Sequence, residues 1–160
     1  MENIAIILIE DQQEVLAAVA KDLDAIEDPF IIEECDSAAE AEEVMETLDA
    51  EGDYIALIIS DHIMPGKSGV EFLIEINEDA RFTPTKKILL TGLATHQDTI
   101  NAINHAAIDR YLEKPWDAKQ LIQYARELIT EFILEKGIDY SDFVDKLDQT
   151  VLLNKLKYNT

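Results

Sequence analysis

The sequence predicts an α/β fold, a doubly wound parallel sheet of five strands with helices on both faces. Three observations predict it. Strand-like and helix-like stretches alternate five times between Ile4 and Ile133, a pattern that implies parallel strands joined by right-handed crossovers. The strand-like stretches are continuous apolar runs, such as Ile55-Ala56-Leu57-Ile58-Ile59, which suits strands buried on both faces. Acidic and hydroxyl residues follow these runs directly. In open α/β sheets ligands bind beyond the carboxyl ends of the strands.

Each element has its own warrant. Ile4 to Ile9 is a short apolar run that ends in Glu10-Asp11. Val15, Leu16, Val19, Leu23 and Ile26 recur at helical spacing, so a first helix runs from about Gln13 to Ile26, and Asp28-Pro29 breaks it. Phe30 to Cys35 gives a second strand, more polar and so nearer an edge. Ser37 with Glu40 is a capping-box pattern, and the second helix follows through Val44, Met45 and Leu48. A loop containing Gly52 leads to the third strand, Tyr54 to Ser60. Ser68 with Glu71 repeats the capping pattern before a third helix carrying Val70, Phe72, Leu73 and Ile76.

A polar loop with Pro84 leads to the fourth strand, Lys86 to Leu90, which ends in Thr91-Gly92. Thr95-His96-Gln97-Asp98 opens a fourth helix, with Ile100 and Ile103 inward. Ile108 to Leu112 is the fifth strand, followed by Glu113-Lys114-Pro115. Asp117 with Gln120 opens a fifth helix, and Gly137 stops it. That helix carries apolar residues on two adjacent stripes, more than one sheet face requires. Asp139 and Asp142 have cap spacing, and Phe143, Val144, Leu147 and Val151 predict one further amphipathic helix, fraying from Asn154. Either this C-terminal helix covers the second stripe or the stripe serves dimerisation. The chain therefore divides into a main domain over 1–135 and a C-terminal helical extension over 136–160.

Composition narrows the function classes. Apolar residues make up 48% of the chain, enough for a real core. A net charge of −21 disfavours nucleic acid and anionic lipid, because both are bound by Lys and Arg displacing counterions. Cys35 is the only cysteine, so the chain forms no internal disulfide and no cysteine-rich metal site. It falls in a strand and reads as an inert core residue. No signal peptide is visible, and no apolar run approaches the roughly 18 residues a membrane span needs. A cytoplasmic protein is the expectation. His62, His96 and His105 show no ligand spacing and read as surface or loop residues. Trp116 is expected to pack where the fifth helix begins.

The strand ends collect Glu10 and Asp11, Asp61, Thr91 and Lys114. Three carboxylates without a cation would repel, and at least one pKa would rise. Mg²⁺ removes that problem, since it takes oxygen ligands and is held by one or two carboxylates plus a phosphate. Lys114 can pair with a second anion and Thr91 can donate to it. Asp61 is then a candidate nucleophile toward phosphorus, in a reaction that needs mainly positioning and charge neutralisation. Each residue also has a plainer reading. Asp11 with Glu14 fits a helix cap, Asp61 and Thr91 fit turns, Lys114 fits a solvated loop, and Tyr111 fits a half-buried strand.

Taken in order, these residues resemble the receiver domain of two-component response regulators, over about residues 3–135. The acidic pair follows the first strand. Asp61-His62-Ile63-Met64-Pro65 with Gly69 is similar to the family's D-x-x-M-P-x-x-x-G. Thr91 stands like the switch Thr/Ser, Tyr111 like the switch aromatic, and Lys114-Pro115 like a K-P pair whose peptide is usually cis.

The resemblance implies a flavodoxin-like sheet of order 2-1-3-4-5. It implies that Asp61 accepts a phosphoryl group from a phosphohistidine of a sensor histidine kinase or histidine phosphotransfer protein. Glu10, Asp11, Asp61 and the backbone carbonyl of Ile63 would hold Mg²⁺, and Lys114 would contact the phosphoryl oxygens. Thr91 and Tyr111 would then shift, changing how the surface of the fourth helix, fifth strand and fifth helix meets a downstream protein. Such a chain is a switch rather than an enzyme, beyond its own phosphorylation and dephosphorylation.

Two features vary from the commonest pattern. Glu10 is longer than the Asp often found there. Ile63 and Leu93, each two residues past a site residue, are apolar where the family tunes acyl-phosphate hydrolysis, which implies a long-lived phosphorylated state. Competing functions are discriminated by residues. A haloacid-dehalogenase-type phosphatase needs a second Asp where Ile63 stands. A phosphate-independent pseudo-receiver is expected to lose an acidic, Asp or Lys position, and none is lost. The leading expectation is a stand-alone switch, since roughly one helix remains after the fifth, too little for a typical output domain. The alternative is a fragment of a longer regulator with an output domain, because the run from Tyr111 to Trp116 resembles receivers that in longer chains precede signalling enzymes.

Overall fold

The computed structural model describes residues 3–26, 29–92, 97, 100 and 104–158. Five parallel strands, β1 (Ile4–Ile9), β2 (Phe30–Cys35), β3 (Tyr54–Ser60), β4 (Lys86–Thr91) and β5 (Arg110–Glu113), form one sheet of order β2-β1-β3-β4-β5. The two longest apolar runs occupy the centre. Every residue of β1 is buried, as are Ile55 to Ser60 of β3. β2 is polar along its middle and takes an edge, as expected. A register shift opposite Ala5/Ile6 sets β3 out of phase by one residue. Ala56 and Leu57 consequently pack on the same side of the sheet, and Ile58 and Ile59 alternate after them.

Successive side chains feed two cores. On one face Ile6, Leu8, Ile88 and Leu90 meet α1 (Gln13–Asp22) and α4 (Ala118–Lys136), the fifth of the expected helices. On the other Ala5, Ile7, Ile58 and Leu89 meet α2 (Ala38–Ala50) and α3 (Gly69–Glu78). The expected fourth helix and Leu93 lie almost wholly outside the described residues.

The helix ends follow local chemistry, with some differences from expectation. Ser37 accepts from the Glu40 N–H at 3.1 Å, and Ser68 accepts from the Glu71 N–H at 3.1 Å. The Glu40 carboxylate does not close a capping box on Ser37; it accepts from the N–H of Asp36. The first helix ends at Asp22 and tightens into a 3₁₀ turn over Leu23–Ala25. Gln12 occupies its cap position without a side-chain hydrogen bond, so Asp11 does not cap it. β5 begins at Arg110 rather than Ile108. The Asp109 carboxylate accepts from the Lys87 N–H at 2.8 Å, standing in for a strand neighbour just before the ladder begins. α4 opens on Asp117, which accepts from Lys119, and stops at Gly137 in the left-handed region (φ 71°).

The C-terminal segment is not the single helix that periodicity predicts. It is a 3₁₀ stretch, Ser141–Lys146, then an extended Leu147, then α5 (Gln149–Tyr158). Asp148, rather than Asp142, provides the start. Its side chain accepts from the Val151 N–H at 2.9 Å and from Gln123 of α4 at 2.8 Å, and its own N–H donates to the Thr130 hydroxyl. α5 runs to Tyr158, past the Asn154 where fraying is expected to begin. Phe143, Leu147 and Leu152 join the core that α1 and α4 share, with Phe143 edge-on to Phe30 at 5.8 Å. The extra apolar stripe of α4 is covered by its own chain.

Candidate functional site

The sheet itself brings the site residues together. The N–H of Glu10 donates to the carbonyl of Cys35 at 3.0 Å, and that of Asp61 donates to the carbonyl of Ile9 at 3.0 Å. The N–H of Lys114 donates to the carbonyl of Thr91 at 3.2 Å. Each residue that follows a strand thus stays on the ladder of its neighbour, so all stand at one edge. Carboxylate oxygens of Glu10, Asp11 and Asp61 lie within 4.8 Å of one another. Glu10 and Asp61 are only 4% and 8% exposed, and Thr91 is buried.

Lys114 arrives from the far side of the sheet. Its ammonium donates to the Glu10 carboxylate and lies 3.4 Å from Asp61 Oδ1. The Lys114–Pro115 peptide is cis. Burial pushes the Glu10 carboxyl above its usual range, with the charge of Asp61 adding to the effect, while Lys114 opposes it. One ammonium facing three carboxylates leaves an excess of negative charge in a largely buried spot. That oxygen-only donor set suits a hard divalent ion such as Mg²⁺. Ile63 lies in the adjoining loop, and its side chain is exposed.

The loop after Asp61 is fixed by Gly69. Its N–H donates to the carbonyl of His62 at 2.7 Å. A Cβ at this position would lie 1.8 Å from the carbonyl oxygen of Asp61 and 2.9 Å from Ser60 Oγ. Only glycine permits the start of α3 to press so closely on the phosphoacceptor candidate's backbone. Ser60 contributes as well, its hydroxyl donating to the Asp61 carbonyl at 2.8 Å. Ser60 is the last residue of β3, and the mark it leaves in the sequence is a hydroxyl closing an apolar run.

Tyr111 lies half-buried against the core on the α2–α3 side, as does Ile108. Burial raises its phenol pKa, and Glu113 adds to the shift. Trp116 packs near the start of α4, and its indole N–H donates to Asp22 of α1 at 2.6 Å, a tie the sequence did not suggest. His62 is half-buried and His105 exposed, while His96 lies outside the described residues. Among the described residues no helix is long and apolar enough to cross a membrane.

Comparison with known proteins agrees with this geometry. The family model of the response regulator receiver domain matches residues 6–126. Response regulator Rre1 of Synechocystis is 32% identical over 128 residues, which cover 80% of this chain and 52% of that protein. The hydrogenase transcriptional regulatory protein HoxA of Bradyrhizobium diazoefficiens is 30% identical over 100 residues, 62% of this chain and 19% of that protein. The chain thus spans about half of one relative and a fifth of the other. Among solved structures, the signal receiver domain of an HD domain-containing protein from Pseudomonas fluorescens superposes with a TM-score of 0.74 at 25% identity, covering 87% of this chain and 96% of that one. A CheY-like receiver domain protein from Methanospirillum hungatei gives a TM-score of 0.69 at 22% identity, covering 84% and 99%.

Proposed function

This chain belongs to the response regulator receiver family of two-component signalling, and from that premise we propose that it is a phosphorylation-controlled switch with Asp61 as phosphoacceptor. The observation that carries the reading is the placement of Asp61 between two other carboxylates and the Lys114 ammonium at the carboxyl edge of the sheet. An Asp61 oxygen attacks the phosphorus of a phosphohistidine, the P–N bond breaks, and the imidazole leaves with a proton. Lys114 meets the charge on the phosphoryl oxygens, and the Thr91 hydroxyl donates to the same group. Mg²⁺ held by Glu10, Asp11, Asp61 and the Ile63 carbonyl would supply charge neutralisation for the transfer.

The donor is a sensor histidine kinase or a histidine phosphotransfer protein. The readout is a changed protein contact on the face that includes β5 and α4, with Tyr111 and Thr91 as the moving parts, and a homodimer is one form that contact can take. The chain acts in the cytoplasm, and its only chemistry is on its own aspartate. The test is phosphate-affinity gel mobility after incubation with acetyl phosphate, with and without Mg²⁺. A Mg²⁺-dependent shift that disappears in Asp61→Ala is expected. A shift that persists in Asp61→Ala would place the phosphoryl group elsewhere.

A second reading is favoured by the relatives' lengths. The residues that match this chain are about half of Rre1 and a fifth of HoxA, and the latter is named a hydrogenase transcriptional regulatory protein. On that reading this chain is the receiver portion of a longer regulator, and the switch acts on an attached output domain. Detecting the natural protein at a mass well above 18.1 kDa decides for it.

A further inference from the structure

α5 outruns the core that holds it. Leu152 is buried, but every residue from Leu153 to Lys157 is exposed. Leu156 stands one turn beyond Leu152 on the same helix face, and Leu153 shares a face with Leu156. Leu153 and Leu156 are 66% and 58% exposed, so the apolar stripe that seats α5 continues into solvent. Among the described residues they are two of the four exposed large hydrophobics. A short helical end of this kind is marginal in water without a surface to pack against. Lys155 and Lys157 flank the stripe, and residues 149–160 hold no acid.

A surface of opposite character lies elsewhere on the molecule. Residues 22–66 hold fifteen Asp and Glu and no Lys or Arg. Between α2 and α3 runs an open groove of about 790 Å³. Its walls carry five carboxylates, Glu42, Glu43, Glu46, Glu75 and Asp79, against the two cations Lys67 and Arg81. Three negative charges are left in excess, beside the apolar Ala39, Ile76 and Phe82. The groove lies on the α2–α3 side of the sheet, whereas Leu152 anchors α5 on the α1–α4 side. α5 therefore cannot enter the groove of its own chain without leaving its own core.

We propose that the Leu153–Lys157 end of α5 docks in the α2–α3 groove of a second copy of this chain. The two leucines meet the apolar strip, and the two lysines offset the excess of carboxylates. Copies that each carry a net charge of −21 repel, which sets the preference: a basic end against an acidic wall is the contact that lowers this repulsion. A contact this small gives a weak, transient association. It is separate from the face that includes β5 and α4, and it uses no group of the Glu10, Asp11 and Asp61 cluster.

The test is sedimentation equilibrium of the full chain over about 10 to 500 µM, the range of a weak complex. The weight-average mass of wild type is expected to climb above 18.1 kDa with concentration. Leu153→Ser combined with Leu156→Ser is expected to weaken association at least about thirtyfold yet to melt like wild type, since both side chains are exposed. Glu43→Lys combined with Thr47→Lys cancels the excess negative charge of the groove and is expected to stay at 18.1 kDa. An equimolar mixture of the two double variants is expected to associate again at the highest concentration, because one brings the helix end and the other the groove. Wild type that stays at 18.1 kDa throughout would overturn the proposal. So would association that survives either double variant, or a mixture that remains monomeric.

Discussion

Gly69→Ala tests how the site is built. The added methyl would sit 1.8 Å from the Asp61 carbonyl oxygen and 2.8 Å from its carbonyl carbon. Ordinary contact between such atoms is about 3.5 Å, so one backbone must retreat by well over 1 Å. Neither yields easily. Asp61 is tied to β1 through the Ile9 carbonyl, and Gly69 is tied to His62. Overpacking against side chains costs about 1–3 kcal/mol, and backbone against backbone belongs at or above the top of that range. For a chain of this size about 3 kcal/mol lowers the melting temperature by roughly 6–12 °C. Moving Asp61 also opens the 4.8 Å carboxylate cluster and lengthens its 3.4 Å approach to Lys114. A displacement of that order costs roughly a hundredfold in phosphorylation rate. The assays are thermal melting followed by circular dichroism and initial rates with acetyl phosphate. Gly66→Ala is the control, since Gly66 has φ 79° but open space around it; it should lose only about 1 kcal/mol and keep its rate. Wild-type melting and rate in Gly69→Ala would refute the reasoning.

Four further outcomes are expected. The Glu10 carboxyl is held above its ordinary 4.5 chiefly by burial. Its contribution to the stability of metal-free protein is therefore full below the unfolded value and lost as pH rises through the folded one. Urea midpoints against pH should accordingly fall less steeply in Glu10→Gln than in wild type. The Cys35 thiol is pushed up to about 12 by burial and by surrounding carboxylates, so its labelling by a disulfide reagent at pH 8 should proceed at the rate of unfolding. Asp148→Ala removes the cap of α5 and a partner of Gln123, and should lower urea-unfolding stability by about 1–2 kcal/mol. Ile63→Asn places a polar group on the exposed position two residues past Asp61, and should shorten the acyl-phosphate lifetime measured by loss of the gel shift after donor removal.

The parts of this molecule that were legible in the sequence are those set by local pattern. β1 and β3 announce themselves because a strand buried on both faces must be apolar throughout. The site residues are legible because they are polar groups at or just past the ends of such runs. What depends on distant partners was hidden. Ile108 is apolar and extends the strand-like run, whereas the ladder begins only at Arg110. The register shift at Ala5/Ile6 has no glycine or proline to mark it. Asp142 has the same cap spacing as Asp139, yet Asp148 caps α5, because Thr130 and Gln123 of α4 are there to receive it. The reach of Glu10 to Lys114 spans 104 positions of sequence and crosses the ends of the two strands that lie between them.

The packing of Phe143 on Phe30 bears on how this module can be transplanted. The family's match ends at residue 126, inside α4, and a fusion joint placed there would sever the helix. A joint just beyond α4 would keep the helix but strip the covering that Phe143, Leu147 and Leu152 provide. The chimera would then carry a wet apolar seam running to the start of an edge strand, an invitation to intermolecular strand pairing. Hydrogen exchange across Phe30–Cys35 would report that damage before any loss of phosphorylation did. For grafting purposes the natural unit extends through α5, well past the boundary that similarity draws.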